Sequence, residues 1–341
     1  MLEGRDRARP QGSRRPRRQR PRRVRRDRRA GQGRAAGVAR LNRREAFELQ
    51  ARHFSRESPL YERLALELVD EPLLPDEVDW RYPLQLFAGL HYLVLAGRAA
   101  WDDVGAALRD EAAFLREWVA TERVQTNEPR RCWWLVPCFL EAARCRGAAA
   151  FDCVELGCSA GLNLLWDRYG YEYDAGSLDG FPVFGGEERG RAVPLSPPPQ
   201  VRSRVGVDLA PPDLHTDEGV RLLKAFVWAG QEQRLADLEA AVEVWRRDPP
   251  EIVAGDLVDG LPALLERGGD DTVLLVWETA AFGYLPPERR EQARALLAAA
   301  DCVFVHTGRP EDGSHDYYGL YVDDDEVAHA EFHGAWIEWL A

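Results

Sequence analysis

Several residue types are scarce in this chain of 341 residues. Methionine occurs once, at position 1, and lysine once, as Lys224, so almost every cation is an arginine. The six cysteines (Cys132, Cys138, Cys145, Cys153, Cys158 and Cys302) contain no CxxC pair. Four of them lie in apolar surroundings, so buried, reduced thiols are expected. No apolar run approaches the ~20 residues of a membrane helix, and the N-terminus lacks the apolar stretch of a secretory signal. The chain therefore reads as cytoplasmic, without a membrane partner.

Acidic residues are nearly missing from Met1–Arg44, which holds 3 of the 57 Asp+Glu but 18 of the 45 Lys+Arg, a net of +15. The chain as a whole is at −12, so the remainder stands at −27. A body that acidic repels phosphate backbones, which excludes nucleic acid as a partner of the folded part. The basic segment has too few apolar residues to bury a core. Residues 1–41 read as a basic disordered tail or a misplaced start, since Arg, Pro and Gly are what GC-rich upstream DNA encodes.

What is present divides into two textures. Residues 42–148 place apolar side chains three and four apart, as in "REAFELQARHFSRESPLYERLALELV", and predict a helical lobe. In "QTNEPRRCWWLVPCFLEAARCRG", Asn127 is a candidate helix cap, Pro129 suits a first turn and Gly147 a helix end. Residues 149–341 alternate short apolar runs ("FDCVEL", "SRVGVDL", "PEIVAGDL", "DTVLLVWE", "DCVFVH") with helix-like segments. Strands apolar throughout and alternating with helices predict a parallel sheet covered on both faces. The closing "DYYGLYVDDDEVAHAEFHGAWIEWL" reads as a terminal antiparallel pair. The expected fold is α/β: a Rossmann-like, methyltransferase-type sheet behind an N-terminal helical lobe. Residues 171–201 read as an insertion, an inserted hairpin and a Pro-rich loop placed near the first strand.

The most informative stretch is "FDCVELGCSAGLNLLWDRYGY", Phe151 to Tyr171. In an open parallel sheet, ligands bind beyond the carboxyl ends of the strands, and a glycine turn lets them approach the backbone. Glu155 ends the strand, Gly157 and Gly161 make the turn, Ser159 stands between them, and Asn163 starts the predicted helix. This resembles the acidic-x-Gly-x-x-x-Gly motif of S-adenosylmethionine-dependent methyltransferases. A sulfonium zwitterion has no pyrophosphate, so a carboxylate suits its ammonium better than a third glycine does. Asp208 in "VGVDLAPPD" ends the second strand, where it can accept ribose hydroxyls. Asp256 in "VAGDLVDG" follows the third, where it can accept an adenine amino group. S-adenosylmethionine is the cofactor these residues imply, with a small molecule as methyl acceptor.

Catalytic candidates cluster at the ends of the fourth and fifth strands. Glu278 in "VWETAAFGYL" suits a base or an amine-orienting group, Tyr284 a pocket wall, and His306 in "FVHTGRP" reaches for the same crevice. "GCSAG" also fits G-x-S-x-G, the nucleophile elbow of α/β-hydrolases, with Ser159 completed by Glu278 or Asp256 and by His306. A helical upstream region leaves no strand to supply the oxyanion hole, and the elbow does not account for Glu155, Asp208 and Asp256 together. A non-catalytic protein binding a nucleotide-like ligand on the same fold is the other alternative. His329 and His333 are four apart on a strand-like segment, a spacing that does not converge on a metal.

Taken in order, "QTNEPRR", "ELGCSAGLNLLWDRYGYEY", "RVGVDLAP", "LPALL" and "HGAWIEWL" resemble a bacterial family known as domain of unknown function 2332. The resemblance runs from Glu45 to the C-terminus. It implies a helical N-terminal lobe on a methyltransferase-like domain, with no activity settled. Two positions depart from the family's pattern: Pro129 replaces an aliphatic residue, and Glu278–Thr279 replace a His-Ser/Thr pair.

Overall fold

A computed structural model describes residues 40–55, 57–121, 124–309 and 316–341. The predicted basic tail lies outside the described residues up to position 39. β1 (Leu41–Asn42) pairs with β2 (Glu77–Val78). α1 (Arg43–Phe54) opens on a capping box. The Asn42 side chain accepts the Glu45 N–H, and the Glu45 carboxylate accepts the Asn42 N–H in return. α2 (Pro59–Glu67) starts with a Ser58 cap and proline in its first turn. With α3 (Tyr82–Leu95), α4 (Val104–Asp110) and α5 (Ala112–Thr121), these helices bury a core of their own built on Phe47, Phe54, Tyr61, Phe87 and Leu115. The 3.6-residue periodicity of the sequence is what creates that shared apolar face.

α6 (Cys132–Arg146) is apolar nearly all round, with Cys132 to Leu140 all buried, and Gly147 ends it at φ 64. A helix apolar on every side must be covered on every side. It accordingly packs into the sheet's core with Phe151, Leu275 and Trp277. The Trp133–Trp134 pair is fully buried there.

The first strand of that sheet is β3 (Ala150–Leu156). The insertion after it folds into β4 (Gly170–Tyr173), β5 (Gly176–Leu178), β6 (Val183–Phe184) and β7 (Glu187–Gly190). β4 and β5 form the expected hairpin, and β7 travels on to the sheet's far edge. There follow β8 (Gln200–Asp208), α7 (Asp217–Ala225), α8 (Glu232–Arg247), β9 (Glu251–Ala254) and α9 (Leu257–Leu265). The chain continues through β10 (Val273–Glu278), α10 (Pro287–Ala298), β11 (Val303–Gly308), β12 (Tyr318–Val322), β13 (Asp325–Ala330) and β14 (Trp336–Trp339).

The nine strands run in the order β7-β14-β13-β12-β11-β10-β3-β8-β9. β9, β8, β3, β10 and β11 are parallel, as the five apolar runs predict. Both faces of the central strands β3 and β10 are covered residue by residue, whereas the edge strand β9 is largely exposed. Cys153, Leu275 and Trp277 face α6 and α8, while Val154, Leu274 and Val276 face α9 and α10. The expected terminal pair is instead a three-stranded antiparallel meander, β12 to β14, with β7 added in parallel. "YGLYV" is a strand in its own right, so the short strands of this segment number three rather than two. The order in which strands are added reverses between β3 and β10, parallel neighbours whose sequel strands lie on opposite sides. In such sheets the crevice beyond the carboxyl ends at this switch point is where ligands bind. No helix among the described residues is long and apolar enough to cross a membrane.

Candidate functional site

At that switch point stands the glycine turn. Gly157, Ser159 and Gly161 take left-handed φ values of 70, 51 and 75°. At Gly157 a Cβ would come within 2.5 Å of the Ala281 Cβ, so the loop after β10 lies directly on the turn. Ser159 bears a side chain in a conformation that costs ordinary residues on the order of 1 kcal/mol. Its surroundings hold it there. The Ser159 N–H donates to Asp208 Oδ2 at 2.9 Å, and its hydroxyl donates to Gln125 and accepts from Asn127 Nδ2 at 2.7 Å. Asn127 is therefore no helix cap: a 3-10 turn, Pro129–Arg131, leads into α6, and its preceding residue is Glu128. The "QTN" segment lies over the turn, a contact across 30-odd residues of sequence that no periodicity signals.

Glu155 is 2% exposed, below the turn. Its Oε1 accepts from Asn163 Nδ2 at 3.3 Å, while its Oε2 is buried without a partner. Burial pushes this carboxyl up to about 8, with the Asn163 hydrogen bond and the nearby Trp277 indole, whose N–H has no bonded partner, pulling the other way. The residues after the turn do not form the expected α-helix. Asn163–Arg168 is a 3-10 stretch broken at Leu165, so it presents little helix dipole to a ligand. Asp208 also accepts from the Ala210 N–H at 3.0 Å. Each of its oxygens thus takes one donor and keeps a second lone pair.

Three of the remaining sequence candidates, Asp256, Glu278 and His306, already hold contacts within the protein. Asp256 caps α9, accepting from the Val258 and Asp259 N–H groups, and pairs with Arg289 at 2.6 Å. Its carboxyl is held below the usual range: those bonds and the Arg289 charge together outweigh desolvation, the largest single cause. Glu278, 1% exposed, accepts from the Phe282 N–H at one oxygen and from the Thr307 N–H and hydroxyl at the other. It ties the loop after β10 to β11. His306 is stacked between Phe304 and Tyr321, centroids 4.8 and 4.9 Å away, and its Nε2 meets the Asp323 carbonyl at 3.1 Å. Burial lowers its pKa. Tyr284 is 54% exposed. Ser159 therefore has Gln125 and Asn127, and no imidazole, on its hydroxyl among the described residues.

Glu128 is 2% exposed and pairs with Arg234 Nε at 2.7 Å. Arg234 also lies 3.6 Å from Glu57. Glu57, Glu331 and His333 bring one ligand atom each within 4.8 Å of one another. The Arg234 guanidinium already pairs with Glu57 of this trio and with Glu128 beside it, and it, Arg131 and Arg309 help burial drive the His333 pKa well down. His329 turns away to Glu338, 3.1 Å off. Five cysteines are buried, Cys145 is exposed, and all six are free thiols. A groove of about 380 Å³ between Leu140, Arg144 and Pro198 opens beside Ala149, at the opposite end of β3 from the turn.

No curated protein matches this chain. The sequence profile of a family described as "Uncharacterized protein conserved in bacteria (DUF2332)" matches residues 44–339, and the chain belongs to that family.

Proposed function

We propose that this protein binds S-adenosylmethionine at the switch-point turn and transfers its methyl group to a small-molecule acceptor. The observation that carries the reading is the buried, unpaired Oε2 of Glu155 beneath a left-handed turn, at the carboxyl end of the first of five parallel strands in doubly wound order. An orphaned carboxylate oxygen is costly unless a donor completes it. An ammonium group is the donor with the strongest claim. Asp208, with a free lone pair on each oxygen, suits the paired hydroxyls of a ribose.

When bound, the cofactor supplies an electrophilic methyl group on a sulfonium. The chain's part is to orient and to exclude water, which suffices for much of an in-line transfer. Asn127 and Gln125 close over the turn, and Ala281 sets the position of the loop that would meet the acceptor. Glu278 keeps that loop attached to β11 and is a positioning residue rather than a base. Asp256 is accounted for by its cap and ion pair. A non-catalytic ligand-binding role is favoured by one observation: Glu278 and His306 are both committed to structural contacts.

Calorimetric titration of the full chain with S-adenosylmethionine and S-adenosylhomocysteine tests the proposal, beside Asp208→Ala and Gly157→Arg. Saturable binding weakened in both variants is expected, with urea melts to verify that they fold. No binding by folded wild type sinks the reading. Binding without turnover to S-adenosylhomocysteine across a panel of acceptors favours the non-catalytic role.

A further inference from the structure

We infer that the arginine–aromatic cluster beyond β10 and β11 binds an oxyanion, a carboxylate or phosphate, through Arg131 and Arg309, both of which lie over the Tyr318 ring. The methyl acceptor would carry that group. The inference rests on the proposed methyl transfer only in naming the bound molecule as the acceptor.

Two arginines are buried among the described residues, Arg131 and Arg234. Arg234 is held by Glu128, and the nearby Arg81 by both oxygens of Asp79 at 2.9 and 2.6 Å. Arg131 and Arg309 have no carboxylate within 4.0 Å among the described residues. Arg131 is 4% exposed, so its charge has lost its water as well. It donates to the Phe332 carbonyl at 2.9 Å, and at 3.4 Å to the carbonyl and hydroxyl of Thr279. Neutral oxygens compensate a buried guanidinium only in part, and an unpaired buried charge is expensive. Glu128 and Glu155 feel its charge, yet both lie beyond ion-pair distance and both have raised pKa values through burial.

Arg309 belongs to the same cluster. Its guanidinium carbon lies 5.2 Å from the Tyr318 ring centre and 4.0 Å from that of Phe332, while Arg131 is 5.8 Å from Tyr318. A guanidinium stacked on a ring keeps its N–H edge free, the geometry that grips carboxylate and phosphate in pairs of hydrogen bonds. Tyr284, 54% exposed, stands close enough to Tyr318, Arg131, Arg81 and Arg309 to feel their charges. The cluster adjoins the glycine turn. Thr279 follows β10 directly, Ala281 rests on Gly157, and Asn127, four residues before Arg131, bonds Ser159.

The test is calorimetric titration of the full chain with sodium benzoate and, separately, inorganic phosphate, at constant ionic strength with chloride as control. Wild type is compared with Arg309→Gln and Arg131→Lys. Saturable binding of at least one anion is expected, weakened about tenfold in each variant by loss of charge-assisted bonds. Preference for benzoate points to a carboxylate acceptor, and preference for phosphate to a phosphorylated one. Absence of saturable binding by wild type to both anions overturns the inference. So does binding that survives Arg309→Gln unchanged, a variant at an exposed position that leaves the core intact. Neither titration contains a nucleoside, so the result stands apart from whether S-adenosylmethionine binds.

Discussion

Replacing Glu155 with glutamine should change how stability depends on pH. The carboxyl ionises at about 8 in the folded protein against 4.5 for the free group, because it is buried beneath the turn. Below pH 4.5 the acid is neutral in both folded and unfolded chains, and the folded state has its full stability. Between the two values the unfolded chain has released the proton while the folded chain retains it, so stability falls as pH rises. The difference in proton affinity amounts to about 5 kcal/mol in all, of which about 3.5 kcal/mol is lost between pH 5 and pH 8. Glutamine keeps the acceptor for Asn163, has nearly the same volume and does not titrate. Other buried groups, such as His91 and His333 with their lowered pKa values, contribute equally to both proteins and cancel in the difference. Urea melts at a series of pH values give the difference directly, provided the slope against urea is the same for both proteins. Wild type should lose its advantage over Glu155→Gln as pH rises and fall below it near pH 8. Parallel curves for the two proteins from pH 5 to 8 would mean that Glu155 has access to water or a donor, and would refute the reasoning. Saturating S-adenosylmethionine should flatten the wild-type curve, because an ammonium against the carboxylate favours its ionised form.

Two further outcomes follow from the geometry. Asp256→Ala should lower stability by about 1 kcal/mol through loss of the α9 cap, while Asp256→Asn, an equally good cap, should cost little. Equal losses in the two variants would assign the effect to the Arg289 pair instead. Glu128→Ala should destabilise by about 3–5 kcal/mol, since Arg234 is then left buried with one more distant acid. A midpoint of urea unfolding within error of wild type would show that Arg234 can reach water.

Much of the architecture was legible in residue order. The five apolar runs became five parallel strands, and alternate residues within the central ones divided between two cores, because a strand covered on both faces has no polar side to display. Gly147 ended its helix in the left-handed conformation that favours glycine. The site was legible in part. Glu155, the turn and Asp208 came together as their places at strand ends suggested. Asp256 and Glu278 stand at strand ends too, but acids there serve as caps and anchors as readily as ligands, and only their hydrogen bonds distinguish the two. Asn127, a candidate helix cap by its place before Pro129, instead bonds Ser159 over the turn. Arg131 and Arg309 were passed over altogether, since an arginine carries no sign in sequence of whether a carboxylate will meet it.

The sequence by itself determined the alternation of layers, the helical lobe, the turn after the first strand and the family. Those depend on periodicity, backbone preference and short-range order, which neighbouring residues express together. Tertiary structure alone decided what lies over the turn, which acids are already occupied and which charges remain unpaired. Those depend on contacts between distant segments, where burial removes water and makes each missing or present partner count.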